Sequence, residues 1–274
     1  MVGVSGTTID RIEDYYDAVP RSASRTEEHG SLTLFVNRGS GWPYYARPRR
    51  GWPGPAEAEH VHAVRARQRE LGLPEAFEWV AEVTPSLAAA ARAAGLHVHE
   101  HPLLALDPAA WSAAPAPAGA EVRLVPAGEA DLAALRAVAS LAFGEPDPAV
   151  GATGPAELPA AVAAVSGAAV RDLRERLRGG LTVLAAAYGP DGPLAVGSHQ
   201  PVGAVTEIAG VGTLPAARRR GLAAAVTSAL VRDALGRGIE VVFLSAADEA
   251  VARVYRRLGF RPLATAMIAE PAVP

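Results

Sequence analysis

The second half of the chain alternates apolar runs of strand length with stretches that are apolar along one helical side. Strands are predicted at six apolar runs, residues 121–125, 181–188, 194–202, 205–213, 240–245 and 260–269. Helical spacing predicts helices at residues 130–143, 158–177, 222–235 and 248–258. This order of elements predicts an α/β domain.

The first half shows similar patterns less regularly. Strands are predicted at residues 32–37 and 77–83, and helices at residues 9–18, at residues 86–94 and along the side formed by Val61, Val64, Gln68 and Leu71. Residues 39–55, rich in Gly, Pro, Trp and Arg, predict a loop. Alternating Pro and Ala over residues 108–119 predict a semi-rigid linker, which would divide the chain into domains 1–107 and 120–274.

The two halves share an internal repeat. Matching Gly95 to Gly259 gives an offset of 164 residues, and the same offset places Val80 on Leu244, inside two predicted strands. Both stretches run through a strand, a short turn, a helix, a glycine and an apolar strand. We interpret this as two copies of one fold. Convergence of two Ala-rich helices is the alternative.

Composition narrows the chemistry. The 274 residues carry a net charge of −3, without the basic surplus typical of nucleic-acid binders. The absence of cysteine excludes disulfides, cysteine-ligated zinc and an acyl-cysteine intermediate. No stretch predicts a signal peptide or a membrane span, so we expect a cytoplasmic protein that binds neither membrane nor nucleic acid. Arginine without any lysine is typical of a high-GC bacterial genome.

A basic turn opens the helix predicted at residues 222–235. The strand that ends at Thr213 is followed by a short turn and by residues 218–223, here called the arginine loop. The first N–H groups of a helix have no helical partner and lie at its positive end, so they bind phosphate oxygens. Gly221 lets the backbone approach those oxygens closely. By itself the pattern is also typical of a solvated basic turn.

Two motifs make this half resemble the GNAT acetyltransferase superfamily. Residues 211–223 are similar to the family's central motif, a strand followed by Gln/Arg-x-x-Gly-x-Gly/Ala at a helix start. Residues 252–260 resemble its second signature, Ala-x-x-x-Tyr-x-x-x-Gly-Phe, with Tyr255 as the phenol and with the alanine, Ala252, one residue nearer to it than in the signature. The resemblance covers residues 120–270 and implies a mixed, mostly antiparallel sheet flanked by helices.

The repeat extends the resemblance to a tandem of two GNAT-like domains. At the offset of 164 residues, Ala91 stands in place of Tyr255 and Glu57 in place of Gly221. We therefore expect the first domain to be a degenerate copy that has lost its cofactor loop and its phenol. Its role would be structural or substrate-shaping.

The resemblance implies acyl-CoA as co-substrate and a set of cofactor-binding positions. They are Val211, Gly212, Thr213, Arg218, Arg219, Arg220, Gly221, Leu222, Ala223 and Asp248. In the family the strand residues pair with pantetheine, and N–H groups of the arginine loop hold the pyrophosphate. Asp248 stands where many members have an asparagine that contacts the cofactor. No metal is implied.

Two further side chains are candidates for catalysis. The resemblance implies that Tyr255 points at the thioester sulfur and that Glu207 is the general base. A period of two would place Glu207 on the same strand face as Ala209, Val211 and Thr213. Partial burial of Glu207 would raise its pKa and let it accept a proton from an amine. A backbone N–H near Val211 could stabilise the oxyanion.

The expected reaction is transfer of an acetyl or short acyl group to a primary amine by direct attack in a ternary complex. The reference pKa of about 10 for tyrosine exceeds that of about 8.5 for a thiol, so Tyr255 is expected to donate a hydrogen bond to the thiolate rather than its proton. Glu207 could instead pair with an arginine or lie exposed, and Tyr255 could be a core aromatic.

Other interpretations stay open. The protein could bind acyl-CoA as a non-catalytic regulator, or be an interaction module. His97, His99 and His101 alternate along a predicted strand and suggest a metal site or, more simply, an exposed polar face. The aromatic residues Trp42, Tyr44, Tyr45 and Trp52 could line an acceptor pocket or only pack a loop. The sequence predicts neither the acceptor nor the oligomeric state, whether monomer or homodimer.

Overall fold

A computed structural model of the chain describes residues 7–38, 44–145 and 149–272. Its helices are α1 Thr8–Arg21, α2 Ala58–Glu70, α3 Ser86–Ala93, α4 Leu132–Gly144, α5 Leu158–Ala164, α6 Gly167–Arg178, α7 Leu222–Gly236 and α8 Glu249–Arg256. Its strands are β1 Ser24–His29, β2 Leu32–Asn37, β3 Arg47–Pro48, β4 Phe77–Val80, β5 His97–Leu106, β6 Glu121–Leu124, β7 Val183–Gly189, β8 Gly192–Val202, β9 Val205–Thr213, β10 Val241–Ser245 and β11 Phe260–Glu270. Within these residues, no helix combines the length and the apolar character needed to cross a membrane.

The chain forms two compact units. The first contains Met1–Leu104, Ser245–Glu249 and Pro262–Pro274, and the second contains Ala105–Leu244 and Ala250–Arg261. The units therefore do not follow a single cut in the sequence, because most of the last strand belongs to the first unit.

The first unit combines a three-stranded antiparallel sheet, in the order β1-β2-β3, with the neighbouring strands β4, β11 and β5. Strand β11 pairs antiparallel with β4, with Ala266 opposite Val80. Met267 and Ala269 of β11 share a buried cluster with Phe77, Trp79 and residues of α2 and α3. Burial of these large apolar side chains is the main favourable term in folding of the unit.

The second unit contains strands in the order β10-β9-β8-β7-β6. Strands β9 and β10 are parallel, and the other neighbours are antiparallel. Helix α7 packs on one face, where a Cβ at Gly197 would lie 3.0 Å from Val226. Helix α4 packs on the other face, where a Cβ at Gly212 would lie 2.9 Å from Ala142. The mixed, mostly antiparallel α/β class predicted from sequence is confirmed.

The internal repeat is visible in the element positions. Helix α2 begins at Ala58 and α7 at Leu222, and strands β4 and β10 begin at Phe77 and Val241, each pair 164 residues apart. Each unit also has a parallel pairing across its helix, Ala46 with Phe77 in the first and Val205 with Val241 in the second. The two units therefore share one fold.

Two predicted helices differ from the structure. The single helix predicted at 158–177 is two helices, because Val165 is extended and the side chain of Ser166 accepts a hydrogen bond from the backbone N–H of Ala169, at 3.2 Å. The helix predicted to end at residue 258 ends at Arg256.

The Pro/Ala-rich segment 108–119 lies along the second unit. It begins with a short 3-10 helix, Pro108–Ala110. The backbone N–H of Ser112 donates to Leu258 O at 3.3 Å, and that of Ala114 donates to Ser228 Oγ on α7 at 2.9 Å. These bonds fix the segment to other residues of the second unit.

Candidate active site

The predicted phosphate-binding positions form one continuous strand, turn and helix. Strand β9 ends at Thr213, a 3-10 turn follows at Pro215–Ala217, and the arginine loop leads into the 15-residue helix α7. Gly221 is the N-cap residue, with a left-handed φ of 85°, and none of the described side chains caps this helix. The first N–H groups of α7 are thus left to an external acceptor such as phosphate.

Arg219 lies in an unusual backbone conformation. It is the non-glycine residue with positive φ in the described part of the chain, at 65°. A left-handed backbone costs a non-glycine residue roughly 1–2 kcal/mol. Such local strain is concentrated at functional sites, so its position two residues before Gly221 supports a ligand-binding role for this turn.

The three arginines of the loop do not act as one cluster. Arg219 and Arg220 are exposed. Arg218 is half-buried, and its guanidinium donates from Nη2 to Ala142 O at 2.9 Å and to Glu145 O at 2.7 Å, and from Nη1 to Ala149 O at 3.2 Å. Of the three arginines predicted to bind the cofactor, Arg219 and Arg220 therefore extend to solvent, whereas Arg218 is engaged with backbone carbonyls.

A β-bulge in β9 overturns the predicted strand face. Ser198 of β8 faces Ala209, but Val196 faces Gly212, so Gly210 and Val211 together oppose a single residue. Gly210 has a φ of 62°, which a glycine adopts without strain. The sequence signal was the glycine inside a strand, which favours a bulge.

The bulge redistributes the predicted site residues between the two faces of the sheet. Glu207 and Gly212 lie on the face covered by α4, since their β8 partners are Gln200 and Val196. Val211 lies on the opposite face, where its side chain would contact a Cβ at Gly197. The prediction that Glu207, Val211 and Thr213 share a face is wrong because the extra residue reverses the alternation.

Tyr255 is enclosed by the protein. Its side chain on α8 is 8% exposed, and its ring packs edge-on against Phe260 with the ring centres 6.1 Å apart. Burial raises the pKa of the Tyr255 phenol to about 12. The phenol therefore keeps its proton at neutral pH and is able to donate a hydrogen bond.

Glu207 and Asp248 have different surroundings. Glu207 is half-buried in the middle of β9, beside Gln200 on β8 and Phe243 on β10. Asp248 is exposed and immediately precedes α8. The leucine and alanine of the loop, Leu222 and Ala223, are buried and half-buried in the first turn of α7.

Gly259 of the second signature lies where two backbone segments meet. Its φ is 101°, and a Cβ there would lie 2.6 Å from Ala110 O and 2.9 Å from the Cα of Trp111. A side chain at this position would displace the 108–119 segment. The glycine is therefore explained by the backbone approach of that segment.

A buried polar network, which the sequence analysis missed, fixes α7 on the sheet. His199 of β8 is fully buried, with Nε2 2.9 Å from an Asp233 carboxylate oxygen and Nδ1 3.0 Å from Thr206 Oγ1. Burial lowers the pKa of His199, and the opposing effect of Asp233 is smaller. The neutral ring donates to Asp233 and accepts from Thr206. Since Thr206 is also fully buried, this hydroxyl–imidazole–carboxylate arrangement is structural.

The matching helix start in the first unit is not an anion site. Glu57 is the N-cap residue of α2 with a φ of −120°, and Glu59 lies in the first turn. The N–H of Ala56, just before the helix, donates to Ser86 Oγ at 2.9 Å. Carboxylates at this position repel phosphate, so the first unit lacks the chemistry of the arginine loop.

The remaining candidates of the first unit are the histidines of β5 and the aromatic residues near position 50. His97 and His99 are exposed on β5, and no group of three or more potential metal ligands occurs in the described ranges. Trp52 packs edge-on against His60, with ring centres 5.7 Å apart. Trp42 lies outside the described residues.

Comparisons with known proteins found a family model that matches part of the second unit and solved structures that match most of the chain. The model of the acetyltransferase (GNAT) family matches residues 164–260, which include both predicted motifs. A GCN5-related N-acetyltransferase from Kribbella flavida is 25% identical, with 98% of each chain covered and a TM-score of 0.69. A search of the curated proteins found no match.

More distant structures share the fold over most of the chain. A putative GNAT-family acetyltransferase from Novosphingobium aromaticivorans is 20% identical, covering 93% of this chain and 94% of its own, with a TM-score of 0.52. A tandem GNAT protein from the clavulanic acid biosynthesis pathway is 18% identical, covering 89% and 79%, with a TM-score of 0.55. Both cover the two units, in agreement with a tandem architecture.

Proposed function

We propose that the second unit, in which residues 164–260 match the GNAT acetyltransferase family, transfers an acetyl or other short acyl group from acyl-CoA to a primary amine. The observation that carries the proposal is the uncapped start of α7, with left-handed residues at Arg219 and Gly221. Backbone N–H groups, the helix dipole and two exposed arginines together favour a diphosphate there.

Strand β9 is the proposed support for the pantetheine arm. The bulge at Gly210 and Val211 leaves an extra residue outside the β8–β9 ladder. An N–H released from the ladder in this way can donate to the thioester oxygen as negative charge develops on it. Val211, Gly212 and Thr213 are the backbone positions that we assign to pantetheine.

Glu207 and Tyr255 are the proposed groups for proton handling. Glu207 accepts the proton of the attacking amine, directly or through water. Tyr255 donates a hydrogen bond to the leaving thiolate. With a pKa of about 12 against about 8.5 for a thiol, full proton transfer from the phenol would be uphill by roughly 5 kcal/mol.

Burial of Tyr255 is also the observation that favours the second candidate, a regulator that binds acyl-CoA without turnover. Titration calorimetry with CoA tests the shared binding step. CoA release from acetyl-CoA over an amine panel separates the two functions, because only the enzyme turns over. Absence of heat with CoA would contradict both.

The Tyr255→Phe variant tests the role of the phenol. We expect kcat to fall by about 10- to 100-fold while the Kd for CoA stays within about twofold, since only a hydrogen bond made during the reaction is removed. Unchanged turnover would remove Tyr255 from the reaction. Arg253→Gln, an exposed change on the same helix, is the matched control.

A further inference from the structure

Arg218 links the arginine loop to the end of α4, on the opposite side of β9 from α7. Its guanidinium donates to three backbone carbonyls, those of Ala142, Glu145 and Ala149. Ala142 lies in the last turn of α4, and Glu145 is its C-cap residue. The side chain therefore reaches a helix end that is 76 residues away in sequence.

The chemistry of the helix end explains why an arginine is suited to this place. The last carbonyls of a helix have no helical partner and lie at its negative end. The last turn of α4 contains no basic residue of its own, so Arg218 supplies a cation that the helix sequence lacks. The planar guanidinium can donate to several carbonyls at fixed angles, which the point charge of a lysine does not reproduce.

A second connection runs beside the first. The N–H of Gly151 donates to Pro215 O at 3.2 Å, and the N–H of Ala216 donates to Thr153 O at 2.9 Å. A Cβ at Gly151 would lie 2.8 Å from Pro215. The turn that precedes the arginine loop is thus bonded to the segment that follows α4.

The end of α4 also forms the surface of β9 next to the bulge. A Cβ at Gly212 would lie 2.9 Å from Ala142 Cβ and 3.5 Å from the ring of Phe143. The Phe143 side chain is 59% exposed, so it presents its ring to solvent beside the strand assigned to pantetheine. A shift of the last turn of α4 would move this ring relative to β9.

We propose that Arg218 is a positioning residue that transmits occupancy of the arginine loop to the last turn of α4 and to Phe143. The inference rests on the proposed function for the nature of the ligand. When phosphates bind the N–H groups of residues 219–223, the loop backbone is held, and Arg218 in turn holds the end of α4. Binding of acyl-CoA therefore completes the surface beside Gly212 before the amine arrives.

Hydrogen exchange with and without CoA tests this coupling in the full chain. In the wild type, saturating CoA should slow amide exchange both in residues 219–224 and in residues 140–145. In Arg218→Gln, we expect CoA still to protect residues 219–224 but no longer to protect residues 140–145, because only the connection between them has been removed. The Kd for CoA should rise by less than about threefold. Equal protection of 140–145 in the variant would overturn the proposal.

Two more variants sharpen the result. Arg232→Gln removes the same charge from an exposed position of α7 and should behave as the wild type. Arg218→Lys should resemble Arg218→Gln, and full rescue by lysine would refute the geometric argument. A Kd for CoA that weakens more than about tenfold in Arg218→Gln would assign the side chain to the phosphates instead.

Failure of the proposed function has a different signature. If CoA protects neither segment of the wild type, acyl-CoA binding is wrong. The link between Arg218 and α4 is then judged on the ligand-free protein, where residues 140–145 should exchange about tenfold faster in Arg218→Gln than in Arg232→Gln. No difference there would overturn the link as well.

Discussion

Replacement of His199 should change how the stability of the second unit depends on pH. His199 is fully buried between β8 and α7, and burial lowers its pKa from the ordinary value of 6.5. A histidine whose folded pKa is lowered contributes stability above its unfolded pKa, and this stability is lost as the pH falls below about 6.5. Asp233 acts in the same direction at lower pH, because hydrogen bonds from Arg237 and His199 outweigh burial and lower its pKa.

The magnitude follows from proton linkage. A group that binds a proton only in the unfolded state changes the free energy of unfolding by at most about 1.4 kcal/mol per pH unit. As the pH falls from 6.5 to 5.0, we therefore expect protonation of His199 in the unfolded chain to lower the free energy of unfolding of the wild type by up to about 2 kcal/mol. At pH 8, the free energy of unfolding of His199→Gln should be about 1–3 kcal/mol below that of the wild type, because the hydrogen bonds to Asp233 and Thr206 are disrupted. Below pH 6.5, the free energy of unfolding of the variant should depend less on pH than that of the wild type.

Calorimetric unfolding between pH 5 and 8 measures this effect. The transition that shifts between wild type and His199→Gln at pH 8 is assigned to the second unit, which contains His199. His97→Gln, at an exposed position of β5, is the matched control and should leave the pH dependence unchanged. If wild type and His199→Gln lose stability in parallel from pH 6.5 to 5.0, the argument that a buried neutral histidine governs acid sensitivity is refuted.

Three further substitutions test backbone features of the second unit. Gly221→Ala should weaken CoA binding about tenfold in calorimetry, because alanine is strained at a left-handed φ of 85° and relief of the strain would move the first N–H groups of α7. Unchanged affinity would argue against the arginine loop as the binding site. Gly259→Ala should lower the free energy of unfolding by about 2–4 kcal/mol, since its Cβ would lie 2.6 Å from Ala110 O. A decrease of less than about 0.5 kcal/mol in urea unfolding would contradict this close approach. Ser228→Ala should cost about 1 kcal/mol and speed proteolysis within residues 108–119, because the Ala114 N–H loses its partner; equal cleavage rates would show that this bond does not hold the segment.

Local patterns were sufficient to predict most elements of the fold. Strand β9 and the start of α7 follow directly from apolar spacing and from the glycine at position 221. The repeat was also readable, because one offset aligns the starts of α2 and α7. The break between α5 and α6 was missed, since an Ala-rich stretch hides the cap formed by Ser166.

The details of the site depend on contacts between distant parts of the chain. The bulge at Gly210 had a local signal, but the faces of β9 depend on its register with β8. The bond from His199 to Asp233 joins residues 34 apart, and that from Arg218 to Ala142 joins residues 76 apart. The spacing of apolar residues within one element does not predict such pairs. The roles of Glu207 and Tyr255 remain predictions from the resemblance.

The pairing of β11 with β4 has a consequence for synthesis of the protein. The cluster around Trp79 includes Met267 and Ala269, which are translated almost 200 residues later. Residues 7–104 therefore leave the ribosome long before the strand that completes their core exists as polypeptide. During that interval the exposed edge of β4 can pair with strands of other nascent chains, so a chaperone that shields it should raise the yield.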